Sequence, residues 1–428
     1  MNSFSSSNPK DSLKFWIDYL QHRHKTICLD INKIKLVAKR LQLLKPKEFV
    51  FIVSGTNGKG TTCRAIEILL IKAGYRVGVY SSPHILSYIE RVRVQGKMLT
   101  EIEHIDSLKK IEKQRDNILL SYFEFSTLSA LELFKHSNLD VILLEVGVGG
   151  RLDATNIIDA DTAIITNIAL DHTDLLGTDR EKIGIEKAGI FREGKLAIVG
   201  EDDTSLNISM IAKQKKVKLL QINKNWSYYQ KNDTWSLYNG FNLLENLPYP
   251  YIPVSNVAIA LVALKAAGFK ITNKNIYENL PNINLPGRFQ TVGYSPHIIL
   301  DVAHNPHSAH YLSNRLKNLH RKGKVHAVIG MLRDKDIKGT LMALTPQVDY
   351  WYCISLSPPR GAKAEQLTLY LKNAYSFPNI QMAWKTVIQN VTAYDIILVC
   401  GSFVTVSQIM KLLSINKIFD TNLNIKIN

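Results

Sequence analysis

The chain has 428 residues, 46% of them hydrophobic and 21% charged, with a formal net charge of +16. That length supports two or three domains with cores of their own, and no apolar run approaches the ~18 residues of a membrane span. Residues 1–9 are rich in Ser and Asn and lack the apolar stretch of a secretory signal, so the expectation is a cytoplasmic protein with no membrane partner. Cys28, Cys63, Cys353 and Cys400 are scattered without a C-x-x-C pair, which indicates neither a disulfide framework nor a zinc site. The positive charge permits an acidic partner, but it is spread along the chain. Only short clusters occur, at residues 213–218 and 319–324, and no zinc finger, RNA-recognition signature or basic tail is present.

In chain order, the five apolar residues 49–53 read as a buried strand. The turn Ser54-Gly55-Thr56-Asn57-Gly58-Lys59-Gly60-Thr61-Thr62 follows and opens into a helical pattern over residues 61–73. A glycine-punctuated turn between strand and helix is a phosphate cradle: backbone N–H groups close on the anion, and the helix N-terminus adds positive potential. Lys59 would reach the outer phosphates and a threonine hydroxyl would ligate Mg²⁺. The spelling departs from the common G-x-x-x-x-G-K-[ST], because Val53 stands at the first glycine and Gly60 separates Lys59 from the hydroxyls. Further strands are expected at 76–80, 140–145, 162–166 and 195–199, with a helix at 125–135 and a polar, antiparallel excursion over 226–247.

A helix at 256–267 and a linker around 282–287 follow. The alternation then restarts, with strands at 298–300, 325–329, 349–354 and 396–400. The fold class is therefore α/β: an N-terminal P-loop ATPase domain, residues 1–284, with a mostly parallel sheet, and a smaller C-terminal Rossmann-like α/β domain, residues 285–428.

Acidic residues stand where strands end. Glu145 follows Val141-Ile142-Leu143-Leu144, and Asp301 follows Ile298-Ile299-Leu300, at the strand ends where α/β sheets collect ligands. Beside a phosphate loop, Glu145 suits Mg²⁺; alone, it would be a cap. His172, in Asp171-His172-Thr173-Asp174, fits a metal ligand, a hydrogen-bonded core group or a general base. Lys187 stands between apolar residues near a helix end, where a stem lying along apolar surface explains it as well as a buried amine with a lowered pKa. Arg288, after the linker, fits a phosphate clamp or an interdomain ion pair. Cys63, in the first helical turn, is either a thiol with a lowered pKa or a small packing residue.

Together these residues resemble the bifunctional dihydrofolate synthase/folylpolyglutamate synthase family, a branch of the Mur ligase superfamily, from about residue 16 to about residue 412. The motifs that carry the resemblance are the phosphate loop, Ser81-Ser82-Pro83-His84 with Glu90-Arg91-Val92-Arg93-Val94, and Glu145-Val146-Gly147-Val148-Gly149-Gly150-Arg151-Leu152-Asp153-Ala154-Thr155-Asn156. Ala169-Leu170-Asp171-His172-Thr173-Asp174, Glu186-Lys187-Ala188-Gly189-Ile190, Leu285-Pro286-Gly287-Arg288-Phe289 and Asp301-Val302-Ala303-His304-Asn305-Pro306 complete the set. The resemblance implies an ATP-dependent amide ligase. It would join L-glutamate to 7,8-dihydropteroate and to reduced folates through an acyl phosphate, as a monomer and without nucleic acid.

Roles transfer by position. Thr56, Asn57, Gly58, Lys59, Gly60, Thr61, Asn256, Arg288 and Asp301 are expected at ATP. Ser82 and Glu145 match ligands of a first Mg²⁺, and His172 matches a ligand of a second. Lys187 matches a lysine carboxylated by CO₂, and a monovalent cation such as K⁺ joins the expected cofactors. The segments Cys28-Leu29-Asp30, Ser121-Tyr122-Phe123-Glu124 and Leu152-Asp153-Ala154 fall where dihydropteroate is held, with Phe123 the natural stacking partner for a flat pterin. His304 and Ser402 fall on the glutamate side, where they would orient the amine; Lys59, His172, Lys187 and His304 form the expected catalytic group.

Three positions depart from the family pattern. Cys28-Leu29-Asp30 stands where relatives carry Asp-Leu-Gly, Ser87 replaces an arginine and Val404 replaces a histidine. A reading from a different class is a nucleotide-dependent regulator or nucleic-acid-associated P-loop NTPase, favoured by charge alone. A nearer enzyme alternative is a Mur-type ligase acting on cell-wall nucleotides.

Overall fold

The computed structural model describes residues 12–23, 31–202, 206–320, 322–357 and 359–419. The segment containing Cys28, Leu29 and Asp30 and the tail of residues 1–9 lie outside them. The chain divides into two compact units, Met1–Ile283 and Asn284–Asn428.

The first unit is built on eight strands: β1 (Phe49–Ser54), β2 (Val77–Tyr80), β3 (Val92–Val94), β4 (Lys97–Met98), β5 (Val141–Glu145), β6 (Thr162–Ile165), β7 (Leu196–Val199) and β8 (Lys218–Gln221). They run in the order β4-β3-β2-β5-β1-β6-β7-β8. All pairings are parallel except β2–β3 and β3–β4, which are antiparallel. The central strands read as unbroken apolar runs because helices cover both faces of the sheet; β2 and β5 are buried throughout. The expected strands at 76–80, 140–145, 162–166 and 195–199 appear within one residue at each end. The short strands β3 and β4 at one side of the sheet were not expected, because three and two residues are too few to show a strand period. The polar excursion is a separate antiparallel sheet of β9 (Ser227–Gln230), β10 (Trp235–Tyr238) and β11 (Leu243–Leu247), closed over the fully buried Trp235.

The second unit has six strands, β12 (Gln290–Tyr294), β13 (His297–Leu300), β14 (Val325–Ile329), β15 (Tyr350–Ile354), β16 (Ala374–Phe377) and β17 (Ile396–Cys400). Their order is β12-β13-β17-β14-β15-β16, parallel except for the β12–β13 hairpin. Its own core gathers Ile299, Leu312, Val325, Leu341, Trp351 and Leu398. The α/β class expected from the alternation is therefore the class observed.

Candidate active site

β1 delivers the chain to the phosphate loop, and the helix Lys59–Lys72 carries it away. The helix starts two residues earlier than the apolar pattern indicates, because Gly58 takes a left-handed conformation (φ 85°) at its N-cap. A Cβ on Gly58 would lie 2.5 Å from the Asn256 Oδ1 atom, so the loop and the helix Val254–Ala266 approach as only glycine allows. Asn256 is buried and donates to Thr61 Oγ1 at 2.6 Å.

The residues after β6 hold the loop from the other side. Asn167 accepts from Asn57 N–H at 3.0 Å and donates to Asn57 C=O at 2.9 Å; Thr166 Oγ1 donates to the same carbonyl at 2.6 Å. The Thr56 hydroxyl exchanges hydrogen bonds with Ala169 C=O and N–H, both at 3.0 Å. Its side chain thus shapes the loop while its backbone stays at the turn. Lys59 arches over the loop, donating to Gly55 C=O at 3.0 Å and Thr56 C=O at 3.3 Å. A lysine held this way places its charge where a polyphosphate would lie.

Glu145 ends β5 directly beside Val53 of β1. It is 5% exposed and accepts from Ser82 N–H at 3.1 Å. A Cβ on Gly60 would stand 3.4 Å from the Glu145 carboxylate, so the glycine that breaks the common loop spelling leaves that carboxylate open to the loop. The Glu145 carboxylate and the Ser82 hydroxyl are hard oxygen donors of the kind Mg²⁺ takes, while the Thr61 hydroxyl is engaged with Gly58 C=O and Asn256. Among the described residues, no three His, Cys, Asp or Glu side chains converge as a ready-made metal cage.

A small, open pocket joins Gly55, Thr56, Lys59, Asp171, His172 and Lys187 with the glycine turn after β5. His172 has left-handed backbone (φ 51°) and caps the short helix Thr173–Leu176. Lys187, in the last turn of the helix Arg180–Ala188, is only 2% exposed. Burial, with Lys59 nearby and against the pull of Asp171, lowers its pKa to about 7. Arg151 ties the turn to this helix, its N–H on Glu186 C=O at 2.8 Å and its Nε on the Glu186 carboxylate at 2.9 Å. Asp171, Thr166 and Asn167 sit among these groups; sequence reasoning placed no role on them, although each follows a strand end, which was the available signal.

The segments expected at the pterin have roles in the scaffold. Ser121 and Glu124 form a capping box at the start of the helix Tyr122–Lys135, with Ser121 N–H on Glu124 Oε2 at 2.7 Å. Phe123 projects past it, 5.9 Å from the Tyr80 ring, and a Cβ on Gly147 would reach within 2.7 Å of its ring. Asp153, flanked by Leu152 and the buried Ala154, accepts from Gly147 N–H and Val148 N–H at 3.0 Å and from Thr155 Oγ1 at 2.6 Å. Its carboxylate therefore folds the glycine turn, and burial pushes its pKa upward. Tyr122 lies under the Arg91 guanidinium, 5.1 Å from its ring centroid, and Arg91 Nε donates to His84 Nδ1 at 2.9 Å. Cys63 is fully buried and its thiol is pushed well up, which rejects a reactive thiolate and leaves packing.

In the second unit, Asp301 and His304 follow β13 while Ser402 follows β17, its parallel neighbour. Asp301 accepts from Phe289 N–H and Ala303 N–H, both at 2.8 Å; desolvation raises its pKa against the pull of Arg288. Arg288 lies over the Phe403 ring at 5.1 Å, and the His304 ring stands 6.1 Å from the same ring. His304 Nδ1 donates to Val302 C=O at 2.9 Å, which leaves Nε2 as the acceptor. Ser402 is buried and accepts from Thr405 N–H at 3.1 Å.

A strand-delivered phosphate loop, a buried lysine and a second α/β unit are the parts of a Mur-type ligase. Residues 53–264 match the Mur ligase middle domain, and residues 287–403 match the Mur ligase glutamate ligase domain. Among curated proteins, the chain is 53% identical over 402 residues to the dihydrofolate synthase/folylpolyglutamate synthase of Escherichia coli, covering 94% of this chain and 95% of that one. It is 47% identical to the protein of the same name from Buchnera aphidicola of Schizaphis graminum, covering 94% and 97%. Among solved structures, E. coli FolC in complex with DHPP and ADP superposes with a TM-score of 0.93 at 51% identity, covering 96% of this chain and all of that one. A bifunctional folylpolyglutamate synthase/dihydrofolate synthase with Mn, AMPPNP and L-glutamate bound gives 0.91 at 50% identity, covering 95% and 99%.

The chain belongs to the dihydrofolate synthase/folylpolyglutamate synthase family. These relatives do not favour the alternative of a nucleotide-dependent regulator. Among the described residues, no helix is long and apolar enough to cross a membrane.

Proposed function

We propose that the chain ligates L-glutamate to 7,8-dihydropteroate, giving dihydrofolate, and to the glutamate tail of reduced folates, with ATP consumed to activate the accepting carboxylate. The observation that carries this reading is the pocket shared by Lys59, His172 and Lys187 at the mouth of the phosphate loop. A polyphosphate would lie on Thr56 to Thr61, its charge met by Lys59 and the helix N-terminus. A carboxylate oxygen of the pterin substrate attacks the γ-phosphorus, the bond to the ADP oxygen breaks, and an acyl phosphate forms. The glutamate amine then attacks the acyl carbon, phosphate leaves, and the amine proton passes to a base. His304, whose Nε2 is the acceptor nitrogen, and Ser402 orient that amine in this reading; Asn256, Arg288 and Asp301 serve ATP.

Glu145 and Ser82 would hold one divalent ion, and His172 with Lys187 a second; a monovalent cation such as K⁺ completes the cofactors. Bound metal supplies charge neutralisation at the phosphates. Lys187 supports the second site chemically: with its pKa near 7, the neutral amine adds to CO₂ and releases a proton, which converts a buried cation into an oxygen ligand. Lys187→Ala is therefore expected to fold yet lose ligation by at least ~10²-fold. A ¹³C carbamate resonance is expected after exposure of the native chain to labelled bicarbonate, growing as pH rises through 7. Full activity in the variant would remove this role.

The overall reading is tested by phosphate release with ATP and L-glutamate plus either dihydropteroate or tetrahydrofolate. Turnover with both is expected. ATP hydrolysis without glutamate dependence would refute the ligase, and failure with dihydropteroate alone would remove the first of the two activities.

A further inference from the structure

Glu67, two turns into the helix that opens at Lys59, has no exposed surface, yet it receives two arginines. Arg93 of β3 grips it as a fork, Nε to Oε1 at 3.0 Å and Nη2 to Oε2 at 2.9 Å, while Arg64 Nη1 reaches Oε2 at 3.0 Å. The remaining Arg93 nitrogen, Nη1, donates to Ser81 Oγ at 3.1 Å and to Glu90 C=O at 3.4 Å. Ser81 N–H is itself fixed on Arg91 C=O at 2.9 Å, and the next N–H in the chain, that of Ser82, donates to Glu145 at 3.1 Å. An unbroken series of contacts thus runs from the phosphate-loop helix, through Arg93 and Ser81, to the carboxylate at the end of β5. The Arg93 charge also acts on Glu145 directly.

Adhesion alone does not account for this arrangement. A buried ion pair loses so much hydration that apolar residues of similar volume generally stabilise as well or better. What the guanidinium fork adds is direction: two parallel bonds fix the separation and orientation of the elements they join. Here those elements are the helix that carries Lys59 and Thr61 and the segment that carries Ser82.

We infer that Glu67 and Arg93 are positioning residues, which set the Ser82–Glu145 edge at the correct distance from the phosphate loop and so tune how tightly a divalent ion binds with nucleotide. The inference rests on the reading of Ser82 and Glu145 as metal donors. Its test uses the full chain with saturating AMPPNP and reads free Mn²⁺ by electron paramagnetic resonance during a Mn²⁺ titration, alongside thermal unfolding.

Arg93→Lys keeps the charge but loses the fork, and Glu67→Met with Arg93→Met removes the pair and leaves only the partly exposed Arg64 charge behind. Both are expected to weaken Mn²⁺ binding about tenfold, as loss of outer-shell partners does at other metal sites, with the double variant unfolding near the native temperature. Native Mn²⁺ affinity in a folded double variant, or in Arg93→Lys should the double variant not fold, would overturn the inference. Ser82→Ala and Glu145→Gln separate the two ideas: if they leave Mn²⁺ affinity unchanged, the metal assignment itself fails. If they weaken it while the Arg93 and Glu67 variants do not, only the positioning role falls.

Discussion

His104 shows how one side chain links packing to solution behaviour. It has no exposed surface, neither ring nitrogen finds a partner among the described residues, and its ring meets Tyr88 edge-on with centroids 5.4 Å apart. Burial lowers its pKa from 6.5 to about 4, opposed only by neighbouring Glu103. The depressed value means that the folded state stays neutral while the unfolded chain takes up a proton. Its contribution is therefore complete above pH 6.5 and is lost as pH falls towards 4. At 1.36 kcal/mol per unit, the loss is on the order of 3 kcal/mol. His104→Phe is expected to flatten the fall in urea stability between these limits relative to the native chain, and parallel pH profiles would show that the ring is not responsible. Lys187 is the same physics in a pocket: burial lowers its basicity too, and in the proposed function it is the neutral amine that would add to CO₂.

Among the elements, the phosphate-loop helix depends on its first residue more than on its apolar face. Gly58 combines a left-handed φ of 85° with an approach to Asn256 that leaves no room for a methyl group. Gly58→Ala is expected to cost about 1–3 kcal/mol through backbone strain and to weaken ADP binding by separating Asn256 from Thr61. Calorimetric unfolding and nucleotide titration check the two effects; unchanged ADP affinity would show that the loop tolerates the shift. Much of this element could be read in advance, since the apolar strand, the glycines and Lys59 lie within fourteen consecutive residues. The strand β3 could not, because three residues are too few to show a period and Glu67, the partner of Arg93, lies 26 positions earlier. A charge pair buried by tertiary contact resembles two solvated charges in the sequence. The capping box at Ser121 and Glu124 was hidden for a different reason, because capping residues and ligand-binding residues draw on the same polar side chains.

For the whole molecule, the proposed boundary near residue 284 implies that the second unit contains all it needs to fold. Its sheet closes around Trp351, 1% exposed, and the apolar residues of β13, β14 and β17. Residues 284–428 expressed alone are expected to unfold in one cooperative urea transition, with tryptophan fluorescence and far-ultraviolet circular dichroism coinciding. A broad or absent transition would show that the core needs the rest of the chain. The net charge of +16, by contrast, proved uninformative about partners: it fits an enzyme of anionic substrates as readily as a nucleic-acid binder.

The sequence by itself determined the α/β alternation, the phosphate loop and the family, because these rest on local period and on contiguous motifs. Tertiary structure alone decided that Lys187 is buried beside Asp171 and His172, that Glu145 faces the loop through the gap Gly60 leaves, and that Arg93 reaches Glu67. Burial and the distance between remote residues are properties of packing. They fix pKa values and the distances between remote groups, and no local pattern encodes them.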